Sequence, residues 1–170
     1  MKKLLVLLVI AIIGAAAVPF VYGRDRLWQE IGGPADQSAV DFQTVVRRSS
    51  SNDSLSCPAD LCAGATSDIE AVVYDVAVDH LARRFDEAMH GEALLERVND
   101  GGDRNYRRYV QRSRLLRLPD TIDVKFVAVG EGQSMMAIYS RSLIGRGDFG
   151  VNEKRLWRWI LYLEDVPHSH

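Results

Sequence analysis

Between Leu4 and Tyr22 the chain runs for 19 residues without a charged side chain. That meets the roughly 20 residues, at about 1.5 Å each, that a helix needs to cross a hydrocarbon core. A helix is also the one simple element that satisfies its own backbone there. Lys2 and Lys3 precede the run, which favours a cytoplasmic N-terminus and places everything after Arg24 outside. Arg24 and Arg26, just past the other end, weaken that asymmetry. A cleaved secretory leader is the competing reading, since the basic start, apolar centre and Ala15-Ala16-Ala17 all suit one. The run is long for a leader, however, and continues through Val18, Phe20, Val21 and Tyr22 beyond that site. A retained transmembrane anchor contacting membrane lipid through residues 4–22 is the expectation, and a secreted product after cleavage the alternative.

About 147 residues remain from Arg24 onward, enough for one domain and short for two. They carry 19 basic against 23 acidic residues, and a net near −4 offers no general attraction for nucleic acid. Cys57 and Cys62 are the only cysteines, so a disulfide is the default in an oxidising compartment. Their spacing is not CxxC, and no further thiolate or imidazole nearby completes a zinc site. Neither a metal nor a cofactor is expected.

The expected organisation is a basic flank at 1–3, the anchor at 4–22, a juxtamembrane linker at 23–39, a domain at 40–164 and a flexible tail at 165–170. Gly32-Gly33-Pro34 breaks the linker, and Trp28 is a candidate anchor at the headgroup boundary. Val40–Val46 reads as a short strand and Arg47–Ser56 as a polar loop leading into the cysteine turn. Ala71–Val76 is a further strand. Asp79 is placed to cap a helix carrying Leu81, Phe85 and Ala88 on one face. Leu94–Val98 is strand or irregular, and Tyr106–Arg114 is strand. Ile122–Val129 and Ser134–Ser142, joined at Gly130-Glu131-Gly132, form an antiparallel hairpin whose faces are both partly apolar, so at least part of this sheet should be covered on both sides. A glycine-rich turn from Gly145 to Gly150 precedes a last helix, with Asn152 as its cap and Leu156, Trp159, Ile160 and Leu163 as its buried stripe. The fold class is therefore α+β: an N-terminal transmembrane helix, then an antiparallel or mixed sheet packed against helices, including a C-terminal one.

Chemistry is harder to find. Arginine clamps carboxylate or phosphate through paired donors, and Arg107, Arg108, Arg112, Arg114, Arg117, Arg141 and Arg146 crowd the second half. The sharp expectation is an anion-binding cleft lined by Arg112, Arg141 and Arg146, with hydrogen bonds from Ser140, Ser142 and Asn152. The plainer one is internal ion pairing with Asp120, Asp123 and Asp148. His80 and His90 lack a neighbouring Ser or Cys suited to a triad, and His168 and His170 alone make a weak metal site. No phosphate-binding GKS/T loop, dinucleotide fingerprint or HExxH occurs. No catalytic constellation is expected.

The Cys57-Pro58-Ala59-Asp60 region, Gln111-Arg112-Ser113-Arg114 through Pro119-Asp120, and Ser140-Arg141-Ser142 followed by Gly145, Asp148, Gly150, Val151, Asn152 and Arg155 resemble the bacterial DUF1499 family. The resemblance covers roughly Val40 to Leu163 and makes Arg141, Asp148, Gly150, Asn152 and Arg155 part of a structural signature. It implies a small secreted or membrane-tethered protein, without supplying a reaction. The functional expectation is a noncatalytic module on the bacterial inner membrane, its domain periplasmic, that binds an envelope protein or an anionic amphiphile. The alternatives are an enzyme acting on an anionic envelope substrate and a purely structural part of a membrane assembly.

Overall fold

Strands of alternating apolar and polar residues build the centre of the molecule. The computed structural model describes residues 5–8, 14, 23–99 and 102–169. Within them lie β1 (Asp53–Ser56), β2 (Val73–Tyr74), β3 (Leu95–Arg97), β4 (Tyr106–Arg112), β5 (Pro119–Gly130), β6 (Gln133–Ser142) and β7 (His168–Ser169). They form one sheet in the order β3-β4-β5-β6-β2-β7, with β1 also pairing with β6. Every ladder is antiparallel. Helices α1 (Arg24–Gly32), α2 (Val78–Met89) and α3 (Val151–Leu161) accompany it. The chain is thus α+β with a C-terminal helix. Among the described residues no helix is long and apolar enough to cross a membrane; the span expected at 4–22 falls mostly outside them.

Both faces of the sheet are covered, as the hairpin's pattern requires. On one face, Ile122, Val124, Phe126 and Ile138 meet Leu81 and Phe85 of α2 and Leu156 and Trp159 of α3, all buried. Phe85 sits at the centre, its ring edge-on to Phe126 at 5.5 Å and to Trp159 at 5.7 Å. On the other face Phe42, Val45, Leu55, Ala137 and Tyr139 enclose the Cys57–Cys62 disulfide, whose Cα atoms lie 6.1 Å apart.

Several boundaries differ from expectation for identifiable reasons. Val40–Val46 is a turn. The Asp41 carboxylate accepts the Gln43 N–H and the Thr44 hydroxyl, and Thr44 N–H donates to the Asp41 carbonyl, a local alternative to ladder bonding. Phe42 and Val45 point inward instead of alternating positions, while Val46 is exposed. The expected loop at 47–56 contains β1, whose small Ser54 and Ser56 are buried against β6 and α3. β5 begins at Pro119, because a missing N–H costs nothing at a strand's first residue. Helix α2 starts at Val78 without a side-chain cap, and Asp79 lies inside its first turn. Residues of the expected tail are engaged: Val166 is buried and His168–Ser169 pairs with β2.

Candidate functional site

Period-two alternation separates the residues expected to share a cleft. Arg112 aligns with Pro119, and Thr121 with Arg141, so both arginines stand on the face covered by the N-terminal loops. Ser140 and Ser142 stand on the opposite, helix-covered face with Asn152. Arg146 is exposed on the turn, and no described carboxylate pairs with it. Among the described residues, the sheet itself therefore stands between Arg112 and Arg141 on one side and Ser140, Ser142 and Asn152 on the other.

The helix-side group forms a closed network. Gly150 is the helix's N-cap at φ 74°, following Phe149 at φ 56°. These two left-handed residues turn the chain so that Asp148, rather than Asn152, does the capping: its carboxylate accepts Gly150 N–H at 2.9 Å and Asn152 N–H at 2.8 Å. Asn152 is thereby drawn inside and fully buried. Its amide donates to Ser142 Oγ at 3.0 Å and Asp148 at 2.6 Å, and its Oδ1 accepts Ser140 Oγ at 2.6 Å. One turn on, Arg155 donates Nε to Gln111 at 2.6 Å, Nη1 to Ser140 and Asn152 at 2.7 and 2.6 Å, and Nη2 to Asp120 at 2.5 Å. Gln111 passes the chain outward to Glu92, which Arg158 clasps at 3.0 and 3.1 Å.

On the other face Arg141 lies 3.1 Å from Asp123, which is fully buried and also accepts the Tyr106 hydroxyl. Burial pushes the Asp123 carboxyl above its ordinary pKa, while Arg141 and Tyr106 pull it down. Arg112 pairs with Glu96 at 3.1 Å and lies 3.7 Å from Asp25. Asp53 is held by Arg47 at 2.9 Å and the Tyr139 hydroxyl at 2.6 Å. Burial opposes its charge, but Arg47, Tyr139 and the Arg48 N–H outweigh it and keep the carboxyl below the ordinary 3.8. Its contribution is therefore present above the unfolded value and lost as pH falls through the folded one. Melting temperatures followed into acid should show Asp53→Asn less stable at neutral pH and less sensitive to acidification than the native chain.

A different group of arginines does converge on open space. A depression of about 570 Å³ between α2 and the β3–β4 turn is lined by Arg83, Arg97, Arg104 and Arg107, with Asp79, Asp86, Val78 and Ala82. Arg107 is buried under this group, donating Nε and Nη2 to Asp86 at 2.8 Å each, its guanidinium 5.6 Å from the Phe126 ring centre. Arg83, Arg97 and Arg104 are exposed, and no described carboxylate is ion-paired to them. Arg97 instead donates to Asn99 at 3.1 Å. Sequence reasoning passed over this group because its members come from a helix, a short strand and a turn. Only the spacing of Arg83 to Asp86 and of Arg104 to Arg107, each one helical or hairpin turn, hinted at it. Among the described residues, no cluster of His, Cys, Asp and Glu is placed to hold a metal ion.

A sequence model described as a protein of unknown function, DUF1499, matches residues 39–163. The chain belongs to the DUF1499 family. None of the curated proteins matches it. The DUF1499 match spans β1 to β6, α2 and α3, so the family's extent coincides with the folded unit between α1 and the final strand.

Proposed function

We propose that this DUF1499 protein is a single-pass inner-membrane protein whose periplasmic domain works by binding an anionic envelope component rather than by catalysis. The uncharged run at 4–22 behind Lys2 and Lys3 supports the anchor and its orientation. The oxidised Cys57–Cys62 pair suits an oxidising compartment. The hydroxyls nearest the family signature are engaged in structural hydrogen bonds: Ser140 with Asn152 and Arg155, Ser142 with Asn152. That supports a structural role for the signature.

The observation that carries the binding reading is the Arg83–Arg97–Arg104–Arg107 depression, whose positive groups outnumber Asp79 and Asp86. Val78 and Ala82 give it an apolar wall, which fits a ligand with a phosphate or carboxylate joined to a hydrocarbon part. The test is mass spectrometry of molecules that co-purify with the gently solubilised full chain from its own membranes. An anionic species retained by the native chain and lost from Arg97→Ala/Arg104→Ala is the expected result. Both residues are exposed, so the fold should survive the change. An identical complement of molecules on the two chains would remove the binding reading.

A further inference from the structure

Helix α1 begins two residues past the uncharged run and is clasped to the loop between β4 and β5. Arg24 and Trp28, one helical turn apart, donate to the backbone carbonyls of Leu115 at 2.5 Å and Leu116 at 2.6 Å. Arg117 completes the clasp, donating Nε and Nη2 to Asp25 at 3.0 and 2.9 Å from a left-handed backbone at φ 61°. Ser113 and Leu118 close the base of the loop through a hydrogen bond of 2.9 Å. The clasp takes the carbonyls of Leu115 and Leu116 and leaves their side chains outward. Leu115 is 74% exposed and Leu116 48%, beside Arg114, which is also exposed.

Position and charge say what covers these leucines. From Tyr22 to Arg24 the chain reaches at most about 7 Å. The Leu115 carbonyl thus lies within that reach, plus one arginine side chain, of the end of the apolar run. The polar headgroup layer on one side of a bilayer is itself about 5–7 Å deep. Arg24, Arg112 and Arg117 meet here with Asp25 and Glu96, Arg114 stands on the loop itself, and α1 adds Arg26 and Glu30, so five arginines face three carboxylates at this end of the domain. A pair of exposed leucines framed by arginines suits a surface of anionic lipid.

We propose that the β4–β5 tip is a second membrane contact, with Leu115 and Leu116 entering the boundary between headgroups and acyl chains and Arg26 and Arg114 meeting lipid phosphates. It rests on the reading of residues 4–22 as a retained anchor. Two leucines and two arginines hold a free domain poorly, but the tether makes the encounter intramolecular and raises its effective concentration. The contact sets the domain's orientation: β4 runs toward the bilayer, and the arginine depression at its N-terminal end stands about 20 Å from the tip.

The test uses the full chain in vesicles of phosphatidylethanolamine and phosphatidylglycerol, and in vesicles of phosphatidylcholine alone. Leu115→Cys carries an environment-sensitive dye; the control is Glu131→Cys, at the opposite end of β5. The oxidised native pair does not take the label. Both chains should float with the vesicles. The dye at 115 should shift to the blue and be quenched by shallow nitroxide lipid several times more than the dye at 131, most strongly with phosphatidylglycerol. Chains that float while both positions read as water overturn the tip contact and leave the anchor standing. A blue shift at 115 without nitroxide quenching also overturns it, because protein then covers the loop. Equal quenching in both vesicle types removes the anionic preference. A chain that fails to float removes the anchor and the tip contact together.

Discussion

Replacing Arg155 with alanine should lower the stability of the domain by about 3–5 kcal/mol, because it leaves a buried charge without its partner. Asp120 is largely buried and loses the Nη2 donor that lies 2.5 Å away. Gln111, Ser140 and Asn152 each lose a donor in the same step, and all three are buried. Small domains have only about 5–15 kcal/mol in total, so the variant should approach the edge of folding at moderate temperature. Arg155→Lys should recover only part of the loss. A single ammonium cannot reproduce a planar fork that reaches Gln111, Ser140, Asn152 and Asp120 at once. Denaturant unfolding of the three chains in matched detergent checks both statements, and a loss under about 1 kcal/mol for alanine would contradict the network's role. The change should leave the Arg97–Arg104 depression intact, so ligand retention should fall only with the fraction unfolded.

Trp159→Ala should have a comparable effect through a different cause. The indole is fully buried and packs edge-on against Phe85 at 5.7 Å and Tyr109 at 6.0 Å. Its removal opens a cavity between α3 and the sheet, with an expected loss of about 3–5 kcal/mol. Trp159→Phe should be much milder. The indole N–H is buried without a hydrogen-bond partner, so phenylalanine removes an unsatisfied donor while keeping most of the aromatic packing. Thermal melts of the two variants should therefore differ widely. Equal losses would mean that packing alone does not decide the site.

The β5–β6 hairpin and the α3 stripe were readable because each rests on a period within one segment. Gly130-Glu131-Gly132 marks the reversal, and Leu156 and Trp159 recur at helical spacing, with Leu163 buried just beyond the helix's last residue. The antiparallel sheet covered on both faces followed from apolar residues at both parities of β6, where Met136 and Ile138 face one core and Ala137 and Tyr139 the other. The misreadings arose where side chains compete with the backbone or where pairing is remote. Asp41 turns the chain at Val40–Val46 by bonding its own neighbours. β1 looks like polar loop because its serines are buried by a strand some 85 residues away, with Ser54 opposite Ser140. Asn152 has the composition of a cap, but Asp148 takes that role once Phe149 and Gly150 adopt left-handed angles. The arginine cleft failed to assemble for a reason present in the strand itself: Ser140 and Ser142 cannot share a face with Arg141.

Local order alone set the apolar opening, the paired cysteines, the hairpin and the amphipathic final helix, since each depends on residues near one another along the chain. Tertiary structure decided which arginines are spent and which remain open. Arg155 and Arg141 are consumed by Asp120 and Asp123, whereas Arg83, Arg97 and Arg104 are brought to one depression by three separate elements. Whether a charge binds within the fold or faces outward depends on partners distant in sequence, and desolvation makes that partnership strong only after the chain has closed around it.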